Sequence, residues 1–250
     1  MPYQDDIFGP HQQEQVKEQS QFTSTALNIA KVFLYVFIGL AITTAVAFGV
    51  GAYVFYSYTS GTDITPYIYV LLGSLILLLI DSLVIHLMAA RGRHSIMIPG
   101  ILYCLLLGTT LSFLTLVIDW TLLGMALGIT SLAFLLMSAI SFLTKGRLSG
   151  IVVAIIGLGA GIGLLSLMLW IYALATGTIL GWIYWAIILG SFALVMFITI
   201  YDLWRVKKIA EQGQMNNNIA LYCAFIIYTD FINVFLRILY FLLLIFGRRR

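Results

Sequence analysis

Charge is scarce in this chain of 250 residues: only 9% are Asp, Glu, Lys or Arg, whereas roughly 25% is usual for a soluble domain. Hydrophobic residues make up 62%, and the mean hydropathy is +1.05. This composition excludes an ordinary soluble domain and indicates a protein with several membrane spans. The net charge of +3 is small, and the basic residues lie at the ends of apolar segments. That pattern indicates membrane topology rather than nucleic-acid binding.

Cysteine and the motifs of cofactor sites are also scarce. The two cysteines, Cys104 and Cys223, lie inside apolar runs without a metal-ligand or redox motif beside them, so we interpret both as packing residues. No motif predicts a bound cofactor. The N-terminal segment lacks the apolar core and cleavage site of a secretory signal, so we expect the first span to act as its own insertion signal.

Seven apolar stretches follow a polar, Gln-rich N-terminal segment, and each is long enough to cross about 30 Å of hydrocarbon as a helix. The sequence therefore predicts an all-α membrane protein. Residues 1–29 are predicted to form a flexible cytosolic tail, residues 30–246 the transmembrane domain and residues 247–250 a basic C-terminal tail. The spans are placed at about 30–55, 66–90, 96–118, 120–143, 149–174, 179–203 and 217–246.

Basic residues alternate between the predicted loops, which puts the N-terminus in the cytosol by the positive-inside rule. A seventh full crossing would carry Arg248, Arg249 and Arg250 outside, against that rule, so the last segment either returns or tolerates these charges; the unbroken apolar run favours a full crossing. The basic residues on the cytosolic side are Lys17, Lys31, Arg91, Arg93, Lys145, Arg147, Arg205, Lys207 and Lys208.

The fifth stretch contains four glycines at alternate positions. Gly157 with Gly161 and Gly159 with Gly163 form two overlapping pairs of small residues four apart, a spacing that lets membrane helices approach closely. The spacing does not match a dinucleotide-binding loop, and no strand precedes it. We therefore expect the fifth span to pack tightly through this face.

Two aspartates, Asp202 and Asp230, lie inside consecutive spans. A charged side chain at the centre of a bilayer costs at least about 2.5 kcal/mol, so such residues usually mark a proton or ion pathway. Asp230, Asn233 and Arg237 follow one another at i, i+3 and i+7, which predicts one polar face lining an internal pathway. Asp81, deep in the second span, is expected to be a further member of that pathway.

Two carboxylates within about 4 to 6 Å of each other tend to share a proton and to titrate as a coupled pair. When both are ionised they attract a divalent cation, although Ca²⁺ prefers six to eight oxygens. Asp202 and Asp230 would thus give a weak, transient calcium site suited to passage. The alternative is a neutralised pair that only locks two helices together.

The chain resembles the transmembrane Bax inhibitor motif family (the Bax inhibitor-1 family), in particular its bacterial members. The most specific elements are Tyr201-Asp202-Leu203 and the run from Tyr228 to Leu236; Gly108-Thr109-Thr110-Leu111-Ser112 and the basic segment 143–150 are weaker matches. The resemblance implies a seven-helix bundle with a central seventh helix and a pH-sensitive calcium leak.

The resemblance also implies residue roles. Asp202 and Asp230 match a hydrogen-bonded aspartate pair that senses pH near the cytosolic side, and Arg91 or Arg93 matches a basic residue that latches the pair. Asp81 matches an acidic residue of the permeation route. Arg237 departs from the family pattern by lying closer to Asp230, where it would neutralise the pair.

Two other functional classes remain open. A non-conducting regulator would bind other membrane proteins through the fifth span. An intramembrane aspartyl protease also carries Tyr-Asp on one span and Asp on the next, but its Gly-x-Gly before the second aspartate and its Pro-Ala-Leu are missing here. We therefore expect a non-enzymatic protein whose partners are Ca²⁺, protons and the bilayer, in a bacterial plasma membrane, or in the endoplasmic reticulum if the source is eukaryotic.

Overall fold

The computed structural model describes residues 10–91, 95–144, 149–176 and 181–246. Within these ranges the chain is helical apart from short turns, and seven helices are long and apolar enough to cross a membrane. This confirms the predicted all-α fold with seven spans. The helices are α1 (Pro10–Thr59), α2 (Thr65–Arg91), α3 (Met97–Val117), α4 (Trp120–Leu143), α5 (Ser149–Thr176), α6 (Gly181–Glu211) and α7 (Asn217–Phe246).

Two helix ends differ from the predicted boundaries. α1 begins at Pro10, twenty residues before the predicted span, so residues 10–29, expected as a flexible tail, are helical. Proline is favoured at a first helical position, and the Gln, Glu and Lys residues that follow are good helix formers. α6 continues to Glu211 and so carries Arg205, Lys207 and Lys208 on its last turns. Residues 1–9 and the predicted basic tail, 247–250, lie outside the described residues.

α7 is the central helix of the bundle. It packs against α1, α4 and α6, and more lightly against α2 and α3. Its buried side chains, which extend from Ala220 to Leu242, cover roughly two thirds of its circumference at 100° per residue. α5 instead packs against α6. The central position of α7 is confirmed, whereas a ring of all six other helices around it is not.

Two glycines allow α1 and α3 to pack in close contact. A Cβ atom at Gly108 of α3 would lie 2.7 Å from the carbonyl oxygen of Thr43 and 2.7 Å from Cβ of Val46. A Cβ atom at Gly51 would lie 2.1 Å from Oγ1 of Thr115. The two backbones can therefore approach this closely only because these side chains are absent.

The glycines of α5 do not make the close contacts expected of them. No atom lies within 4 Å of the Cβ position at Gly157, Gly161 or Gly163, and at Gly159 the nearest is a methyl group of Leu194 at 3.9 Å. The predicted tight packing of α5 is therefore wrong within this chain, because small residues permit a close approach without supplying the partner helix.

Candidate ion and proton site

Asp230 lies in the middle of α7 and is buried, with only 7% of its surface exposed. Its Oδ2 atom is buried and has no hydrogen-bond partner. Such a group is costly to bury, because the hydrogen bonds that it makes to water are lost and none replaces them. An unpaired buried carboxyl at this depth therefore calls for a functional explanation.

Asp202 lies on the facing helix, α6, and is half-buried. Its charge is within electrostatic range of Asp230 on α7. The buried Oδ2 of Asp230 has no hydrogen-bond partner, and the hydrogen bond that the family resemblance implies between the two residues stays a prediction. The two groups are thus neighbours that repel each other whenever both are ionised.

A cavity of about 220 Å³ opens between α6 and α7 at the end where the two helices are joined. Asp202 and Arg205 supply its charged groups. Ile226 also contributes to the wall, and Asp230 lies one helical turn beyond it, behind the cavity. Asp202 therefore lies at the wall of a largely apolar cavity at the end of the bundle, on the side of the buried carboxyl of Asp230. The complete lining is Asp202, Arg205, Val206, Ile209, Gln214, Ile219, Tyr222, Cys223 and Ile226.

Arg205, one turn further along α6, lines the same cavity as Asp202 and is the basic residue of its wall. The sequence reasoning assigned Arg205 only to membrane orientation. The i, i+3 spacing of Asp202 and Arg205 was the available signal, because residues three apart lie on one face of a helix.

The basic residues expected to act on the pair lie elsewhere. Arg91, at the end of α2, is exposed and the ion pairs among the described residues join Lys207 and Lys208 to Glu211 instead. Arg93 lies outside the described residues. Arg237 donates a hydrogen bond from Nη1 to Oγ of Ser191, at 2.5 Å. It forms no ion pair with Asp230 or Asp202, so the predicted neutralisation by Arg237 is not what the structure has.

Asn233 is exposed, whereas Asp230 is buried and Arg237 is partly buried. The expectation that these three residues share one internal polar face is therefore wrong for Asn233. At 100° per residue, Asn233 lies about 60° around the helix from Asp230, far enough to reach the uncovered side of α7.

Asp81 belongs to a second polar cluster, which lies between α1, α2, α3 and α7. It is 7% exposed, its Oδ2 has no hydrogen-bond partner, and it is within electrostatic range of Tyr103 and Cys104. In the same cluster Oγ1 of Thr43 and the hydroxyl of Tyr228 form a hydrogen bond of 2.5 Å. Tyr228 is two residues from Asp230 and therefore about 200° around α7, so the two clusters lie on opposite sides of the central helix.

In the described part of the chain, a candidate cation site contains at most two carboxylates. No group there contains three or more His, Cys, Asp or Glu side chains placed to hold a metal ion. A calcium ion, which prefers six to eight oxygens, would need water and backbone carbonyls besides Asp202 and Asp230.

Comparison with known proteins gives a family but no individual relative. The sequence profile of the family described as "Inhibitor of apoptosis-promoting Bax1" matches residues 25–248, which include all seven spans. Neither the curated proteins nor the solved structures contain a match. With seven helices long and apolar enough to cross a membrane and a profile match over residues 25–248, this chain is an integral membrane protein that belongs to the Bax inhibitor family.

Proposed function

We propose that this protein is a pH-sensitive calcium leak protein gated by Asp202 and Asp230. The observation that carries the proposal is the buried carboxyl of Asp230, whose Oδ2 has no hydrogen-bond partner, within electrostatic range of a second carboxyl that lines a cavity. Both the membership in the Bax inhibitor family and the depth of the two residues in their spans support a role in transport. The protein is not expected to be an enzyme.

Loss of the proton shared by Asp202 and Asp230 opens the gate. While one proton is shared, the pair carries a single negative charge, α6 and α7 stay packed, and Asp230 remains behind the cavity. Loss of that proton leaves two charges that repel each other in a poorly solvated place. The ionised pair then attracts a divalent cation from the cavity and changes the packing of the two helices.

The proposed orientation puts the N-terminus and the cavity on the cytosolic side. Arg205, Lys207 and Lys208 at the end of α6 and Arg91 at the end of α2 place a cluster of positive charge there, as the positive-inside rule requires. The membrane is proposed to be a bacterial plasma membrane, or the endoplasmic reticulum if the source is eukaryotic.

The test is calcium flux from vesicles. Purified protein in vesicles loaded with a calcium dye should leak Ca²⁺ faster than empty vesicles, with a rate that changes between about pH 6 and 8, the range in which the proposal expects this coupled pair to lose its shared proton. Asp230→Asn imitates the protonated residue, so its rate should equal that of the wild type at the low-pH end and should no longer depend on pH. Asp202→Asn should also abolish the pH response, whereas Asp63→Asn, in the outer loop, should keep it.

The outcomes separate the proposal from its competitors. A leak no faster than that of empty vesicles would favour a non-conducting regulator, for which the uncovered glycine face of α5 offers a docking surface. A pH response that survives in both aspartate variants would remove the pair as the sensor. Stoichiometric labelling by an aspartyl-protease probe, dependent on both aspartates, would instead indicate proteolysis.

A further inference from the structure

Arg237 lies inside a membrane span, and the side chain to which its guanidinium donates is neutral. Its Nη1 donates to Oγ of Ser191 at 2.5 Å, and the ion pairs of the described residues lie at the other end of α6, around Glu211. An arginine at this depth is costly unless an anion or water reaches it. Because a guanidinium has five donors and Ser191 accepts from one of its atoms, the group retains unused capacity to bind an anion.

The surface beside Arg237 is the uncovered strip of α7. Asn233, one turn before Arg237, is exposed, and Leu236 is 37% exposed. One turn towards the outer end, the hydroxyls of Tyr184 and Tyr240 form a hydrogen bond between α6 and α7. The strip therefore combines an arginine, a free amide and two hydroxyls with an apolar side chain, on a surface that faces the bilayer.

The depth of Arg237 suits contact with a lipid headgroup. Its partner Ser191 lies six residues after Trp185 along α6, or about 9 Å at 1.5 Å per residue. Trp182 and Trp185 are exposed and mark the region of the membrane interface, where tryptophan concentrates. Arginine side chains extend along apolar surface to bring their charge towards such an interface.

We propose that Arg237 binds the phosphate of an anionic phospholipid, with Asn233, about 6 Å deeper along α7, beside its glycerol esters and Leu236 in contact with an acyl chain. Charge complementarity favours this occupant, because the guanidinium forms paired hydrogen bonds to phosphate oxygens and no carboxylate of the described residues occupies it. The Asn233 amide, otherwise without a partner in the hydrocarbon, adds a donor. The site is separate from the aspartate pair and does not depend on the proposed calcium leak.

Native mass spectrometry of the whole purified protein tests the site. With a dilute mixture of phosphatidylglycerol and phosphatidylcholine, at least one phosphatidylglycerol should be retained in preference to phosphatidylcholine. Arg237→Gln should reduce that retention at least fivefold, and Asn233→Leu about twofold, since the charge remains. Arg91→Gln is the matched control: it removes an exposed basic residue at a helix end and should change nothing. Thermal melting of each variant in the same detergent verifies folding.

Several results would overturn the proposal. Equal retention of the two lipids, or undiminished phosphatidylglycerol retention by folded Arg237→Gln, would exclude a headgroup site. Competition by millimolar inorganic phosphate as effective as that by lipid would assign the site to a soluble anion. A dimer in the wild-type spectrum that Asn233→Leu dissociates would assign the strip to a second copy of the chain. If Arg237→Gln does not fold, the ratio of phosphatidylglycerol to phosphatidylcholine retained by Asn233→Leu decides alone.

Discussion

Burial distinguishes the aspartates of this chain from one another. Asp63, in the turn before α2, is exposed, and Oδ1 accepts hydrogen bonds from the backbone N–H of Thr65 at 2.9 Å and from its hydroxyl at 2.6 Å. Asp81 and Asp230 are buried, and one oxygen of each has no partner. Aspartates with satisfied oxygens stabilise a helix start, whereas the buried ones are costly and are therefore candidates for function.

Asp63 should contribute stability that depends on pH. The hydrogen bonds from Thr65 hold the pKa of the Asp63 carboxyl below its ordinary value. A pKa that is lower in the folded than in the unfolded protein stabilises the fold above the unfolded value, near 4, and the contribution is lost as pH falls through the folded value. Asp63→Asn should therefore lower the melting temperature in detergent at pH 7 and leave it unchanged near pH 2. An equal decrease at both pH values would contradict this assignment.

Lys207 and Lys208 are adjacent but should differ in their effect on stability. Nζ of Lys207 donates to the carbonyl oxygens of Phe142 at 2.7 Å and Thr144 at 3.2 Å, and so ties the end of α4 to α6. Lys208 forms an ion pair with Glu211 at 2.9 Å near the surface. Hydrogen bonds to charged groups are worth about 1.5–3 kcal/mol, and exposed ion pairs at most about 1 kcal/mol.

Lys207→Met should therefore lower the free energy of unfolding by about 1.5 to 3 kcal/mol, and the matched control Lys208→Met by less than about 1 kcal/mol. Unfolding by denaturant in mixed micelles measures both. Equal losses of stability in the two variants would contradict this prediction, because the hydrogen bonds of Lys207 to α4 would then contribute no more than the ion pair of Lys208.

At the scale of helices, the bundle depends on which glycines meet a neighbouring backbone. Gly108 lies against α1, whereas Gly100, two turns earlier on the same helix, has no atom within 4 Å of its Cβ position. Sequence spacing favoured the four glycines of α5, but the close contact is made by less regularly spaced glycines in α1 and α3. Spacing reveals which faces can approach a partner, and only the packing of the whole chain determines which of them do.

Gly108→Ala should destabilise the protein by about 1 to 3 kcal/mol, because its methyl group would overlap the carbonyl oxygen of Thr43, a backbone atom that cannot move away freely. Gly100→Ala should be neutral or slightly stabilising, since alanine is the better helix former and space is available. The comparison of the two melting temperatures in one detergent tests this. A loss of stability in Gly100→Ala as large as in Gly108→Ala would mean that any alanine in α3 disturbs the helix.

The elements themselves were largely predictable, because a helix that crosses a bilayer needs a long apolar run. The polar ends of the helices were less predictable. The Gln-rich composition of residues 10–29 predicts a tail, but these residues form the first turns of α1. The burial of Asp230 was predictable from the depth of this residue in its span. Arg205, the exposure of Asn233 and the partner of Arg237 could not be predicted, since they depend on how α6 and α7 are rotated against each other.

At the scale of the whole molecule, α7 separates two polar clusters. Asp230 lies on the side of α7 towards Asp202 of α6, while Tyr228 faces Thr43 of α1 in the region of Asp81. A chain that serves only as a lipid-facing scaffold would have no reason to bury two sets of costly groups. Their arrangement on opposite faces lets a small rotation of α7 affect both clusters together.

The direction of this arrangement across the membrane is the last property to test. Positive charge at the α6–α7 end predicts that Gln214, which lines the cavity, faces the cytosol. In intact cells, a membrane-impermeant maleimide should label Thr62→Cys, in the α1–α2 turn, and should label Gln214→Cys only after permeabilisation. The native cysteines, both buried, provide the background in unsubstituted protein. The reverse pattern would place the cavity outside, so that Asp202 would respond to external rather than cytosolic pH.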